Sequence, residues 1–275
     1  MTTIALFGAG GKMGMRLSAN LVGSRFAVRH IEVSAAGQER LRKEFGVATV
    51  APDEALDGAD AVILAVPDTL IGKVATQIAP RLKPGTMVVI LDAAAPFAGH
   101  LPERDDLTYF VTHPCHPPIF NDETDPTAKK DYFGGIAAKQ HIVSALMQGP
   151  EGDYALGEEI ARTIWAPVMR SHRVTVEQLA MLEPGLSETV CATLLVVMRE
   201  ALDETVRRGV PYEAARDFLL GHMNVLASVI FDEREGVFSD ACNKAIEFGK
   251  PVLMQPDWRR VFEPEEIAAS IRRIT

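Results

Sequence analysis

Cysteine is scarce in this chain. Cys115, Cys191 and Cys242 form an odd and widely scattered set within 275 residues. Because a disulfide framework needs paired cysteines at close spacings, this excludes the class of small secreted proteins held together by disulfides. We interpret the three residues as reduced thiols and expect a cytoplasmic protein.

Basic charge and long apolar runs are also lacking. The net charge of −9 argues against nucleic acid or an anionic membrane as the main partner, since both favour clustered Lys and Arg. We expect no apolar stretch of the length of a membrane span, and the N-terminus has no charged-then-apolar signal pattern. We therefore expect a small-molecule substrate, with neither a nucleic-acid nor a membrane partner.

Three common catalytic motifs are absent. The chain has no Gly-x-Ser-x-Gly elbow, no Walker sequence and no His-Glu-x-x-His helix. Hydrolase and kinase interpretations therefore have no support. The hydrophobic fraction of 47% and the charged fraction of 24% are typical of a globular protein of one large domain or two ordinary ones.

A glycine-rich junction near the N-terminus is the most informative segment present. Residues 4–7 are apolar and lead directly into closely spaced glycines, followed by a helical pattern, so we predict strand, tight turn and helix. An open helix N-terminus can hold a pyrophosphate through its N–H groups. The predicted dinucleotide-binding residues of this turn are Gly8, Gly10, Gly11, Lys12, Met13 and Gly14.

Two assignments of the glycines compete. We favour Gly8 for the tight turn, Gly11 for close approach to the phosphates and Gly14 for packing of the helix on the strand. The alternative uses Gly8 and Gly10, with Gly14 one place late.

Glu32 follows at the end of the next predicted strand, about 20 residues after the last glycine. A carboxylate there accepts hydrogen bonds from both ribose hydroxyls and repels a 2′-phosphate, so we predict NAD rather than NADP. Arg29 and Arg40 weaken this preference, because either can neutralise such a phosphate. The alternative for Glu32 is a solvated charge at a strand end.

The first half alternates strand and helix signals, which predicts a doubly wound, mostly parallel α/β sheet of the Rossmann type. Predicted strands include residues 28–33, 61–66, 87–91, 109–112, 136–147 and 168–176. Asp68, Asp92 and His113 fall at strand ends, where ligands gather in such sheets. Asp68 lies where a nicotinamide ring would pass, although strand-end aspartates also cap helices.

The second half is helical without alternation, so we predict an NAD-binding domain at 1–174 and an all-helical substrate and dimerisation domain at 175–275. Residues 191–198 are apolar nearly all round, which predicts a helix buried on every side, partly against a second subunit. Further helices are predicted from Pro211 and from Pro264. His222 lies on an apolar face, and a core histidine is favoured there over a residue of the cleft.

Residues 112–118 hold two histidines between prolines, just past a predicted strand. Because prolines fix the backbone, His113 and His116 are presented by a rigid loop. One can bind a divalent metal while the other acts in proton transfer, and the alternative is a pair of polar loop residues. Glu188 can add a carboxylate to the same metal, or it can simply stabilise the first turn of a helix.

With these residues assembled, the chain resembles the 6-phosphogluconate dehydrogenase-like and ketol-acid reductoisomerase-like superfamily. In its sugar-acid dehydrogenases the helix after the domain junction carries a Lys, and Glu188 stands roughly at that place. This departure favours a metal over lysine-assisted chemistry. Residues 112–123 look like the signature of a bacterial subgroup of oxidoisomerases that act on branched sugar acids.

The resemblance implies NAD-dependent oxidation at C2 of a 2,3-dihydroxy acid, followed by migration of a hydroxymethyl group from C3 to C2. It implies a divalent cation, Zn or Mg, held by His116 and Glu188, with His113 in proton transfer or substrate orientation. It also implies a homodimer formed through the helical domain. Two alternatives stay open: a simple NAD-dependent dehydrogenase of the 3-hydroxyisobutyrate or 6-phosphogluconate type, and an NAD-binding regulatory protein.

Overall fold

The structure, a computed structural model, describes residues 1–275. The strands are β1 (Thr3–Phe7), β2 (Ala27–Ile31), β3 (Ala61–Leu64), β4 (Met87–Ile90), β5 (Thr108–Pro114), β6 (Gln140–Gln148) and β7 (Val168–Arg173). The helices are α1 (Lys12–Leu21), α2 (Ala35–Phe45), α3 (Pro52–Leu56), α4 (Asp68–Ile78), α5 (Ala94–Phe97), α6 (Tyr154–Ile164), α7 (Val176–Ala180), α8 (Thr193–Arg207), α9 (Tyr212–Ile230), α10 (Asp240–Leu253) and α11 (Pro264–Ile274).

All seven strands form one sheet in the order β2-β1-β3-β4-β5-β6-β7. Every neighbouring pair is parallel except β5 and β6, which are antiparallel. The carboxyl ends of the first five strands therefore share one edge with the amino ends of β6 and β7. The predicted fold, a mostly parallel Rossmann sheet followed by a helical domain, is confirmed.

The central strands are buried on both faces, as parallel strands covered by helices must be. Along β1, Ile4 and Leu6 belong to one apolar cluster, while Ala5 and Phe7 belong to the cluster on the opposite face. Each fully buried Leu or Ile side chain contributes about 1.5–3 kcal/mol of transfer free energy. This two-sided core fixes the edge of the sheet at which the site residues lie.

Strands β6 and β7 differ from the predicted bounds for local reasons. Residues 136–139 precede β6 because the N–H groups of Ile136, Ala137 and Ala138 bond to the carboxylate of Asp131. They are therefore not available to the sheet. Strand β7 ends at Arg173 because Thr175 caps α7 in a capping box with Gln178.

The chain divides into two compact units. The first comprises Met1–Glu183 and Ala268–Thr275, and the second comprises Pro184–Ile267. The predicted domain boundary, after residue 174, lies earlier in the chain than this one. The prediction also assigned residues 268–275 to the helical domain, whereas they group with the first unit.

The second unit has almost no buried core within a single chain. Its buried residues are Pro184, Gly185, Leu202 and Ile267. The prediction that residues 191–198 are buried on every side is wrong for the single chain, since Leu195, Val196 and Met198 are exposed. His222 is also exposed and stacks on Phe218 at 4.0 Å between ring centroids, so the prediction of a core histidine is wrong.

A single helical run, Val176–Arg207, joins α7 to α8 through a π-helical segment, Met181–Ala192. By length and composition this run is apolar enough to cross a membrane, and 11% of its most apolar window is buried. The expectation that no apolar stretch approaches that length is therefore wrong. Glu188 lies inside the run rather than in the first turn of a helix, because the helix already begins at Val176.

Candidate active site

The turn between β1 and α1 requires glycine at two positions. Gly8 has φ +73°, in the left-handed region that favours glycine. Gly14 lies inside α1, as predicted, and a Cβ atom there would come within 1.9 Å of the carbonyl oxygen of Gly8. The helix can therefore pack this closely on the turn only because residue 14 has no side chain.

The N-terminus of α1 is open. Its N-cap, Gly11, makes no side-chain cap, and the N–H group of Gly11 donates to the carbonyl of Gly8 at 3.0 Å. The first bond of the helix is donated by Met15 to Gly11, so the N–H groups of Lys12, Met13 and Gly14 precede the hydrogen-bonded ladder. Three such donors at the positive end of the helix dipole suit a pyrophosphate.

Glu32 follows β2 directly and lies against this turn. One carboxylate oxygen accepts the N–H of Gly10 at 2.9 Å, and the other accepts the N–H of Ser34 at 2.8 Å. The carboxylate is thus held at the strand end beside the dinucleotide turn. Glu32 stays the predicted acceptor for the ribose hydroxyls.

Both arginines near the turn donate hydrogen bonds to backbone carbonyls. Arg29 donates to the backbone carbonyls of Glu54 and Ala55. Arg40 donates to the carbonyl of Gly10 from Nε at 3.2 Å and from a terminal nitrogen at 2.6 Å. Both guanidinium groups are therefore engaged with backbone oxygens, which favours the predicted preference for NAD.

Two aspartates and a histidine line the edge beyond β3, β4 and β5. Asp68 begins α4, and Asp92 follows β4 and accepts the N–H of Ala94. Burial and the nearby Asp92 raise the pKa of the Asp68 carboxyl above its ordinary value. His113 lies within β5, paired with Val143, rather than just past the strand as predicted. The strand is longer than the pattern indicated because it pairs with β6.

His113 lies between carboxylates. Its Nδ1 is 3.1 Å from Oε2 of Glu183 and 2.8 Å from the carbonyl oxygen of Pro114. A carbonyl only accepts, so Nδ1 carries the proton and Nε2 keeps the ring's lone pair. Burial lowers the pKa of His113, and Asp92 opposes that shift. The ring is therefore neutral near pH 7, the form that can bind a metal or take up a proton.

Asp92, His113 and Glu183 offer one ligand atom each within 4.8 Å of one another. Two carboxylates and an imidazole are a ligand set that divalent cations accept, from Ca and Mn to Zn. All three belong to the first compact unit. The residues present therefore fit a divalent metal ion at the carboxyl edge of β4 and β5.

His116 lies beside His113, with their ring centroids 5.8 Å apart and the rings nearly perpendicular. Its backbone is left-handed, with φ +61°. Its Nδ1 lies 2.8 Å from the carbonyl oxygen of Phe133, whose ring packs on the imidazole at 4.7 Å. As in His113, Nδ1 is the donor, and Nε2 keeps the lone pair.

The metal pair predicted from sequence, His116 and Glu188, differs from this cluster and stays a prediction. His116 is in the first unit and Glu188 in the second, and neither belongs to the cluster of Asp92, His113 and Glu183. His113 was predicted as the catalytic residue and falls among the candidate ligands instead. Asp92 was identified only as a strand-end carboxylate, and Glu183 was not among the predicted site residues.

Comparison with known proteins defines the class. The model for the NAD-binding domain of 6-phosphogluconate dehydrogenase matches residues 3–96. The model for the C-terminal domain of decarboxylating phosphogluconate dehydrogenase matches residues 121–275. The protein is therefore an NAD-dependent oxidoreductase of the 6-phosphogluconate dehydrogenase type.

The full-length relatives give the narrower family. D-apionate oxidoisomerase from Rhizobium rhizogenes is 78% identical over 275 residues, covering 100% of both chains. D-apionate oxidoisomerase from Cupriavidus necator is 71% identical over 272 residues, covering 99% of both. The chain belongs to the D-apionate oxidoisomerase family.

Solved structures agree with this placement. A semialdehyde dehydrogenase NAD-binding protein from Cupriavidus necator, in complex with calcium and NAD, matches with a TM-score of 0.99 and 70% identity over 100% of both chains. An NADH-preferring ketol-acid reductoisomerase from an uncultured archaeon matches with a TM-score of 0.65 and 20% identity, covering 99% of this chain and 82% of the other. The latter likeness shows a shared fold.

Proposed function

We propose that this protein oxidises D-apionate with NAD and isomerises the product to 3-oxo-isoapionate, using a divalent metal ion held by Asp92, His113 and Glu183. One observation carries the proposal: these three residues meet at the same sheet edge as the dinucleotide turn, in a chain of the D-apionate oxidoisomerase family. Hydride transfer to NAD needs the turn, and the rearrangement in addition needs a Lewis acid of the kind that this cluster can hold.

The residues of the turn fit NAD. NAD, when bound, accepts a hydride from the carbinol carbon of the substrate. The N–H groups at the start of α1 would hold the pyrophosphate, and Gly8 and Gly14 permit the close backbone packing that presents these groups. Glu32 accepts from the ribose hydroxyls while Gly10 and Ser34 hold its carboxylate in place.

The edge cluster fits a divalent cation. When bound, such an ion supplies a Lewis acid for the carbonyl and hydroxyl oxygens of the rearranging acid. Asp92 and Glu183 would hold it through carboxylate oxygens and His113 through a ring nitrogen. The calcium in the solved relative is consistent with an oxygen-rich ligand set.

His116 is then the group that moves a proton. Its Nδ1–H is fixed on the Phe133 carbonyl, so Nε2 is the single acceptor that the ring can present to a substrate hydroxyl. Asp68, whose pKa is raised by burial, is a second proton carrier at the edge. These roles exchange the two histidines relative to the prediction from sequence.

Product analysis tests the reaction. Purified protein is incubated with D-apionate, NAD and Mg²⁺, Mn²⁺, Ca²⁺ or Zn²⁺, and the carbon skeleton of the product is determined by NMR. We expect NADH together with a rearranged 3-oxo acid. NADH formed with an unrearranged 2-oxo acid would leave only the simple dehydrogenase, and NAD binding without turnover would favour a regulatory protein.

The ligand assignment is tested by Glu183→Gln, because an amide oxygen is a weaker ligand than a carboxylate. We expect metal affinity and metal-dependent turnover to fall by at least about a hundredfold while NAD affinity changes less than about twofold. Titration calorimetry with metal and, separately, with NAD measures both. Glu177→Gln, an exposed carboxylate on the same helical run, is the matched control and should behave as wild type.

We also infer that the second unit is completed by a second copy of the chain. Its apolar grooves include one of about 650 Å³ lined by residues such as Val190, Leu194, Val197 and Trp258. A helical unit with four buried residues cannot stabilise itself, and covering these apolar side chains with the same unit of a partner supplies the missing core. A cytoplasmic location stays a prediction.

A further inference from the structure

The first turns of α2 pack directly against the dinucleotide turn at Gly37. A Cβ atom built on Gly10 would lie 2.6 Å from the backbone of Gly37, so the two glycines touch without side chains between them. A Cβ atom built on Gly37 would lie 2.7 Å from both Cγ and Cδ of Glu32. Gly10, Glu32 and Gly37 therefore pack directly against one another.

Hydrogen bonds reinforce the same contact. Ser34 is the N-cap of α2: its side-chain oxygen accepts the N–H of Gly37, and its own N–H donates to Glu32. One turn further along, Arg40 donates twice to the carbonyl of Gly10. Both backbone polar groups of Gly10 are therefore hydrogen-bonded: the N–H group donates to Glu32, and the carbonyl accepts from Arg40 of α2.

We propose that Gly37 is a positioning residue that sets the preference for NAD over NADP, because it holds the Glu32 carboxylate against the Gly10 N–H group. The inference rests on the proposed use of NAD. A carboxylate fixed beside the ribose both accepts from the hydroxyls and meets a 2′-phosphate with like charge. A carboxylate that can swing away into solvent does neither.

Arg40 does not offset this charge. Its Nε and one terminal nitrogen are committed to the Gly10 carbonyl, so moving it onto a 2′-phosphate breaks the bonds that anchor the turn to α2. Selectivity therefore depends on the small residue at position 37 as well as on the acidic residue at position 32.

Gly37→Ala tests the proposal. The three heavy atoms nearest to the added methyl group all belong to the flexible side chain of Glu32, so we expect the fold to survive and the carboxylate to be displaced. We expect NAD affinity to fall about tenfold or more, the scale of a lost hydrogen bond to a charged group. NADP affinity should stay level or improve, so the ratio of the two Kd values falls at least about tenfold.

Two comparisons make the result decisive. Gly152→Ala, at a glycine with open space around it, should bind both nucleotides as wild type does. In a Glu32→Gln background the Gly37→Ala change should shift the Kd ratio little, because the charge on which it acts is already gone. Thermal unfolding of each variant reports whether the fold is intact.

Three outcomes would overturn the proposal: equal loss of NAD and NADP affinity in Gly37→Ala, an unchanged ratio, or the same shift in the Glu32→Gln background. They are distinguishable from failure of the proposed function. If wild-type protein does not bind NAD, the proposed function falls. If wild type binds NAD in preference to NADP and Gly37→Ala does the same, only the role of Gly37 falls.

Discussion

At the scale of single residues, Asp131 explains how a polar loop places His116. Its carboxylate accepts the backbone N–H groups of Gly134, Ile136, Ala137 and Ala138. That folds the segment so that the carbonyl of Phe133 meets Nδ1 of His116. Burial alone would raise the pKa of Asp131, but the four N–H donors outweigh it and hold the pKa below its ordinary value.

Replacing this carboxylate tests its importance for stability. Asp131→Asn should lower the free energy of unfolding by roughly 2–3 kcal/mol at pH 7, because an amide presents its own N–H groups to donors. Because the folded pKa is lowered, the ionised group stabilises the fold at neutral pH. This contribution is lost as the pH falls from about 4, the ordinary aspartate value, through the lowered pKa.

Urea unfolding of wild type and variant across pH 7 to 3 measures the effect, and the difference between them should shrink below about pH 4. Asp125→Asn is the control, since Asp125 is exposed and accepts N–H groups only from Thr127 and Ala128. A larger loss in Asp125→Asn than in Asp131→Asn would contradict this account.

At the scale of elements, the glycine turn separates packing from ligand binding. A Cβ atom on Gly14 meets the backbone of Gly8 and Ala9 at 1.9–2.7 Å, whereas one on Gly11 meets only the carbonyl oxygen of Gly8, at 3.2 Å. Backbone atoms cannot rotate away as a flexible side chain can. Gly14 is therefore needed by the fold itself, and Gly11 is open to a purely functional role.

Alanine at these two positions should give opposite results. Gly14→Ala should cost about 3 kcal/mol or more of stability, because α1 must move away from the turn at Gly8 and Ala9. Gly11→Ala should change stability by less than about 1 kcal/mol and, if the phosphates approach Gly11, weaken NAD binding more than tenfold. Chemical unfolding measures the stability of both variants, and titration measures their NAD affinity. Equal destabilisation of the two variants would contradict the separate roles of Gly14 and Gly11.

Sequence predicted those elements whose signals are local. The apolar runs of β1, β3 and β4 identified the buried strands, and Asp92 was found because it follows β4. Glu32 was found because it follows β2 at the expected spacing after the last glycine. Glu183 was missed because its contact with His113 joins residues 70 positions apart along the chain through the helical run from Val176. The continuous helical run was not predicted either, since Pro184 lies inside its π-helical segment, where the hydroxyl of Thr189 donates to the carbonyl of Pro184.

At the scale of the whole molecule, the two units differ in how they are stabilised. The first encloses two apolar clusters on either face of its sheet. The second exposes large apolar side chains along α8, α9 and α10, including Val196, Phe218 and Phe248. An isolated chain would lose the hydrophobic contribution of all these side chains. Oligomerisation is therefore expected to be a condition of stability for the second unit.

A charge placed on the exposed apolar face should separate the copies. Val196→Lys buries an ammonium group if a second copy covers α8, so sedimentation equilibrium should show a dimer for wild type, a shift towards monomer for the variant, and a thermal midpoint that falls with dilution. Val22→Lys is the control, because Val22 is similarly exposed but belongs to the first unit. A monomeric wild type would contradict the proposed dimer. Partitioning of wild type into phospholipid vesicles would instead show that the apolar helical run is covered by lipid.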